Sequence, residues 1–239
     1  MKHIEQPEIM FLRKNNDVSL LPYFQEPVYG LTTSSSQRAG WEIKKFNIEN
    51  LWNKSTGKDI VVGVLDTGCD FNHLDIKKNI LQGINFVDPK KDPMDDNGHG
   101  THVTGTICAV NNGIGIVGVA PESKVRPIKV LNSQGAGSSK DIAVGIKWAA
   151  DNGCQIVTMS LGSRFHNRLI ANAIKYANKK GCVVFCAAGN FGIKQDIAYP
   201  AKLNTTIAIG AIDKNFNRTS FTCSGEELDF LSPGHEIVG

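Results

Sequence analysis

From Trp41 onward the chain alternates short, almost wholly apolar runs with longer stretches in which apolar residues recur every three or four positions. Residues 60–65 read as a buried strand that ends in the turn residues Asp66-Thr67-Gly68. Helical periodicity covers residues 100–109, then 139–152 with Ile142, Ile146 and Ala149 on one face, then 167–180, which Gly181 closes. Residues 125–131, 156–159, 182–188, 206–212 and 228–231 read as further strands. Strands that are apolar throughout are buried on both sides. The pattern therefore predicts an α/β domain, a doubly wound parallel sheet with helices on both faces. In such sheets the chemistry gathers beyond the carboxyl ends of the strands. Asp66, Ser160 and Asn190 each follow a predicted strand.

Residues 1–39 lack this periodicity and carry Leu20-Leu21-Pro22-Tyr23 and a Ser/Thr cluster at 32–36. They read as an N-terminal extension and linker ahead of a domain at 40–239. With 239 residues, 41% hydrophobic and 21% charged, the composition is that of a soluble globular protein. The formal charge is +3 and the basic pairs are scattered, so no nucleic-acid or membrane partner is predicted. No apolar stretch has signal-peptide or membrane-spanning length, and the predicted address is the cytoplasm. Cys69, Cys108, Cys154, Cys182, Cys186 and Cys223 contain no C-x-x-C pair. Cys182 and Cys186 share one strand face at roughly 13 Å, beyond disulfide reach. All six are read as reduced and mostly buried.

Three segments carry candidate chemistry. Asp66 ends a buried strand, where a carboxylate costs desolvation energy unless donors meet it. In isolation, Asp-Thr-Gly is a turn. Asn97-Gly98-His99-Gly100-Thr101-His102 opens a helix with glycines flanking an accessible imidazole. His99 and His102 have no Glu between them and no third ligand, so zinc is not predicted. Ala187-Ala188-Gly189-Asn190-Phe191-Gly192 lets the backbone turn closely beneath an amide donor. Gly113-Ile114-Gly115-Ile116-Val117-Gly118 satisfies the G-x-G-x-x-G dinucleotide pattern, but it follows a helix and leads into Val119-Ala120-Pro121. A nucleotide-binding reading rests on this decoy alone.

Taken together, Asp66-Thr67-Gly68, His99 in N-G-H-G-T-H-V-T-G-T and Asn190 in A-A-G-N resemble the subtilisin-like serine proteases, in the family's order of Asp then His. Ser160-Leu161-Gly162, Gly118-Val119-Ala120-Pro121, Tyr199-Pro200-Ala201 and Ser232-Pro233-Gly234 extend the resemblance over about residues 41–239. It implies His99 as general base, Asp66 as its orienting partner and Asn190 as oxyanion donor. Ser160-Leu161-Gly162 and Gly135-Ala136-Gly137 would clamp an extended polypeptide substrate as a strand. Phe191 stands where many relatives have an acidic residue, implying an apolar P1 preference. The loop Val110–Ile116 resembles the family's calcium loop, in which Asp75, Asn112 and the carbonyls of Val110, Ile114 and Ile116 would bind a structural calcium ion, with Gln37 as a further donor. Leu20-Leu21-Pro22-Tyr23 resembles the inhibitory prosegment of intracellular subtilisins.

The resemblance also requires a serine on a Gly-Thr-Ser-Met-Ala-like turn, and no such segment occurs among the 239 residues. Ser160 matches the substrate strand, and Ser224 lies in a Thr-Cys-Ser-Gly turn. The chain is accordingly read as C-terminally incomplete, lacking a central helix as well as the serine. Alone it is expected not to cleave peptides, and a C-terminal companion fragment would be a partner. The competing reading is an inactive peptide-binding or regulatory protein.

Overall fold

In the computed structural model the described residues are 17–20, 36–192, 194 and 196–239. In chain order the elements are β1 (Asp17–Leu20), α1 (Trp41–Lys45), α2 (Ile48–Leu51), β2 (Val61–Asp66), β3 (Ile84–Asn85), α3 (His99–Cys108), β4 (Lys124–Lys129) and β5 (Ala136–Ser138). They continue with α4 (Ser139–Asp151), β6 (Ile156–Met159), β7 (Leu161–Gly162), α5 (Arg168–Lys179), β8 (Val183–Ala187), β9 (Ile207–Ile212) and β10 (Phe230–Pro233).

The apolar runs pair into one seven-stranded sheet ordered β10-β9-β8-β6-β2-β4-β3. Every neighbouring pair in it is parallel. Leaving β2, the chain builds β3 and β4 on one side and then returns to lay β6, β8, β9 and β10 on the other. The reversal beside β2 puts the ligand crevice of a doubly wound sheet at that strand's carboxyl end, where Asp66 stands.

Side-chain parity divides the sheet into two faces. Leu65, Val157, Met159, Val184 and Cys186 point to the face where α4 and α5 pack, and with Ile142, Ile146, Ile170 and Ile174 they form the main core. Val62 and Val64 point the other way, toward Cys108, Val103 and Ile107 of α3. The helices begin where local chemistry lets them. Ser138 caps α4 by accepting from the Asp141 N–H, and Asn167 caps α5 by accepting from the N–H groups of Leu169 and Ile170. All six cysteines are buried and unpaired, and burial pushes the thiols of Cys69, Cys108 and Cys154 up to about 12. Among the described residues no helix is long and apolar enough to cross a membrane.

The predicted elements are present with small shifts. The last strand starts at Phe230 rather than 228, because the Asp229 side chain instead accepts a hydrogen bond from the Ala208 N–H. Helical cover also differs between the faces. Beside α3, the outward side chains Ile156, Phe185 and Ile209 line an open cavity of about 850 Å³ that reaches His99 and the 232–237 segment.

Ile146, fully buried in the main core, should lose about 2–5 kcal/mol of stability on substitution by Ala. Phe165, 78% exposed, should lose no more than about 0.5 kcal/mol from the same change. Urea unfolding midpoints of Ile146→Ala and Phe165→Ala against the parent check this.

Candidate active site

Asp66 is the last residue of β2 and is 1% exposed. Its Oδ1 accepts the Thr67 N–H at 2.7 Å and lies 2.7 Å from Nδ1 of His99, the first residue of α3. Its Oδ2 takes no hydrogen bond among the described residues. A carboxylate facing Nδ1 places the ring proton there and leaves Nε2 with its lone pair, the tautomer of a general base. The two elements approach this closely because two glycines let them. A Cβ on Gly100 would stand 2.1 Å from the Gly68 carbonyl oxygen, and Gly68 itself has φ of 109°.

Asn190 follows β8, after Gly189 at φ 114°, and lines the same cavity as His99 and Ser160. The His99 and Asn190 segments thus meet at one cavity, and the Asp66 segment joins them through its bond to His99. Ser224 is not among the residues lining that cavity. It sits under the loop beyond Phe191, paired with Lys194, and its carbonyl accepts the Asp196 N–H.

The two predicted substrate edges also come together, and an extended segment lies between them. β5 and β7 flank β1 in a three-stranded antiparallel sheet ordered β5-β1-β7. Asp17, Val18 and Ser19 stand opposite Ser138, Gly137 and Ala136, while Ser19 and Leu20 stand opposite Gly162 and Leu161. Gly135, at φ 71°, turns the chain into β5. Of the predicted prosegment only Leu20 is described, and Leu21, Pro22 and Tyr23 lie outside the described residues. Phe191 is half-buried beside the main core, and the Arg164 guanidinium lies 6.0 Å from its ring centroid.

A parallel sheet with a carboxylate–imidazole pair at its switch point, an amide donor on the next loop and a strand-shaped cleft is a specific combination. The subtilase family model matches residues 57–238. The chain belongs to the subtilase family. Subtilisin DY of Bacillus licheniformis is 43% identical over 184 residues, covering 76% of this chain and 66% of that protein. An intracellular serine protease of Paenibacillus polymyxa is 42% identical over 196 residues, covering 79% and 60%. An alkaline protease of Alkalihalobacillus alcalophilus is 41% identical over 206 residues, covering 86% and 53%. This subtilase chain spans about half to two thirds of the length of these relatives.

The predicted calcium residues also lie together. The Gln37 side-chain NH₂ donates to the carbonyl oxygens of both Val110 and Ile116, each at 2.9 Å. Asp75, buried, accepts the Ile116 N–H at 2.9 Å, and Asn112 Oδ1 accepts the Ile114 N–H. The donor set is therefore oxygen, mostly carbonyl, which suits a hard cation. Among the described residues no group of three or more His, Cys, Asp or Glu is placed to hold a metal ion. The glycine-rich decoy belongs to this loop, after α3, and no helix follows it before β4.

Sequence reading missed two residues of the subtilase site. Lys129, buried at the end of β4 and in register with Asp66, donates to the carbonyls of Thr67 and Leu131 and to Asp96. Asp95 accepts hydrogen bonds around the start of α3. Burial alone would raise its pKa, but the bonds from Thr101, Gly98 and Asn97 outweigh that and hold it below the ordinary carboxylate value. Its place four residues before His99 was the available signal.

His102, on the next turn of α3, has its Nε2 3.4 Å from the Ile237 carbonyl oxygen, and burial holds its pKa below that of a free imidazole. A depressed native value favours the neutral form. Stability is therefore full above the unfolded value of about 6.5 and declines as pH falls from there through the native value. Urea midpoints measured from about pH 7.5 to about pH 5 should fall in the parent and fall less in His102→Gln.

Proposed function

We propose that this subtilase acts as a serine endopeptidase on extended polypeptides. The observation that carries the reading is the Asp66–His99 pair at 2.7 Å, opening on the cavity that Asn190 also lines. In the proposed reaction His99 Nε2 takes the proton of a serine hydroxyl as its oxygen attacks the scissile carbonyl. Asp66 stabilises the imidazolium, and the Asn190 amide donates to the oxyanion. His99 then returns the proton to the leaving amine, and water repeats the cycle on the acyl-enzyme. Ser160-Leu161-Gly162 and Gly135-Ala136-Gly137 hold the substrate by strand pairing. The apolar ring of Phe191 favours Leu or Phe over Lys or Arg at P1.

The serine is assigned to none of the 239 residues. We place it on a further segment, continuing the chain or supplied by a companion polypeptide, that seats in the apolar cavity beside α3. The β1 segment, held where substrate would pair, acts in this reading as an inhibitory prosegment. A cytoplasmic site of action fits the six unpaired thiols and the similarity to a protease described as intracellular. The competing reading, a peptide-binding protein without catalysis, uses the same cleft.

Fluorophosphonate labelling separates the two. The chain alone should not label. With a segment bearing the serine it should label and cleave Leu or Phe P1 peptides, and His99→Ala should abolish both. Asn190→Ala should lower turnover by about 10²–10³-fold, the size of loss known for this donor in subtilisin itself. Labelling of the chain alone would overturn the placement of the serine, and absence of labelling in every combination favours the binding reading.

For calcium, Asp75, Asn112 and the carbonyls of Val110, Ile114 and Ile116, with Gln37, would hold the ion and cross-link this loop to the body of the domain. At a calcium concentration of about 100 Kd, chelation should remove about 2.7 kcal/mol and lower the thermal midpoint by about 5–10 °C. Asp75→Asn should make the midpoint insensitive to chelator; an unmoved parent midpoint would remove the ion.

A further inference from the structure

We infer that Thr67 and Asp95 form the spacer that sets the Asp66–His99 hydrogen bond, which makes them positioning residues for proton transfer at His99. The geometry stands apart from the peptidase reading, and only its catalytic consequence rests on that reading.

Asp66 and His99 belong to separate elements 33 residues apart, so their 2.7 Å contact must be enforced from outside the pair. The bonds next to them do this. Thr67 follows Asp66, and Gly100 follows His99. The Thr67 hydroxyl accepts the Gly100 N–H at 3.0 Å and donates to Asp95 Oδ1 at 2.8 Å. The same Oδ1 accepts the N–H groups of Asn97 and Gly98, each at 3.0 Å. Asp95 Oδ2 accepts the Thr101 N–H at 2.8 Å and its hydroxyl at 2.6 Å. The Thr101 hydroxyl in turn accepts the Asp70 N–H at 2.9 Å, closing the circuit back to the Asp66 turn.

One carboxylate therefore receives five donors from the strand turn, the approach loop and the first helical turn. An ordinary helix cap uses only the donors of its own helix. The bond from Thr67 reaches a different element, and Thr67 is fully buried, with no water to compete for its hydroxyl. A carboxylate suits the node because both its oxygens accept. An asparagine would turn an NH₂ toward the Thr101 N–H. Displacing the imidazole by about 1 Å from its carboxylate would cost roughly 10²-fold in rate.

The test isolates the Thr67 link from the cap. Thr67→Val keeps the side chain's shape and leaves Asp95 its four other donors, whereas Thr67→Ser keeps the hydroxyl. In the full chain, the low-field proton NMR signal of His99 Nδ1–H should disappear or exchange about ten-fold faster in Thr67→Val, as loss of about 1–1.5 kcal/mol implies. Thr67→Ser should retain it. A parental signal in Thr67→Val, with only a lowered thermal midpoint, would reduce Asp95 to a helix cap and overturn the inference. Should Thr67→Val fail to fold, Asp95→Asn is read by the same signal, and its retention there overturns the inference equally. No serine is needed for this readout, so it stands whether or not the peptidase reading does. In a labelling-competent enzyme, Thr67→Val should lower kcat by about 10²-fold with KM unchanged, and Thr67→Ser should restore it.

Discussion

A carboxylate at the end of a buried parallel strand is the constraint around which this chain is arranged. Asp66 is almost completely removed from water, and an uncompensated buried carboxylate costs several kcal/mol. The compensation comes from two donors, the Thr67 N–H and the His99 imidazole, while the buried Lys129 stands in register on the next strand. The Lys129 ammonium donates to the Thr67 carbonyl, so the cation braces the backbone that follows Asp66. Each partner comes from a different element. The carboxylate is tolerated only when β2 and α3 are both in place, and the cost of burying it thus becomes a requirement on the fold.

The same logic explains the two faces of the sheet. α4 and α5 seal one side with aliphatic and alanine contacts from Ile142 to Ala177. On the other side α3 covers β2 and β4, and the cavity begins where its contacts end. Parallel strands are ordinarily covered on both sides. The half-buried side chains there, Ile156, Phe185 and Ile209, are of the kind that a packed helix would cover. His99 stands at one end of this apolar trough. A segment that filled it would bring its own residues to the imidazole as well as cover the sheet.

The core was legible in the sequence because period and length agree there. Ile142, Ile146 and Ala149 recur on one helical face, and 156–159 is too short and too apolar to be anything but a strand in an alternating pattern. Asp66, His99 and Asn190 were legible only together, through the family resemblance that their segments carry, and the close approach of Gly68 and Gly100 supplies a physical reason for the glycines in it. Of the short pieces, Ile84–Asn85 escaped, too brief for any periodicity, while Ala136–Ser138 and Leu161–Gly162 were expected only through the resemblance, as strand-pairing edges. Lys129 escaped for another reason. A lysine closing a strand reads as a solvated end, and only the register opposite Asp66 reveals that it turns inward. Asp95 reads as one of several loop acids in Asp92-Pro93-Met94-Asp95-Asp96, and composition cannot say which of them the helix N-terminus will face.

Strand pairing in the cleft depends on backbone and not on side-chain identity, so under the proposed function one ladder would serve both substrate and the chain's own β1 segment. β5 and β7 present main-chain donors and acceptors to whatever extended segment lies between them, and here that segment is Asp17–Leu20 of the same chain. A cleft that reads backbone cannot by this means distinguish its own N-terminal segment from a substrate. Under the proposed function selectivity would then come from side chains outside the ladder, Phe191 beside Arg164 among them. Under the proposed function the ladder would set occupancy, the pocket choice, and the Asp66–His99 spacing the fate of the bond that arrives.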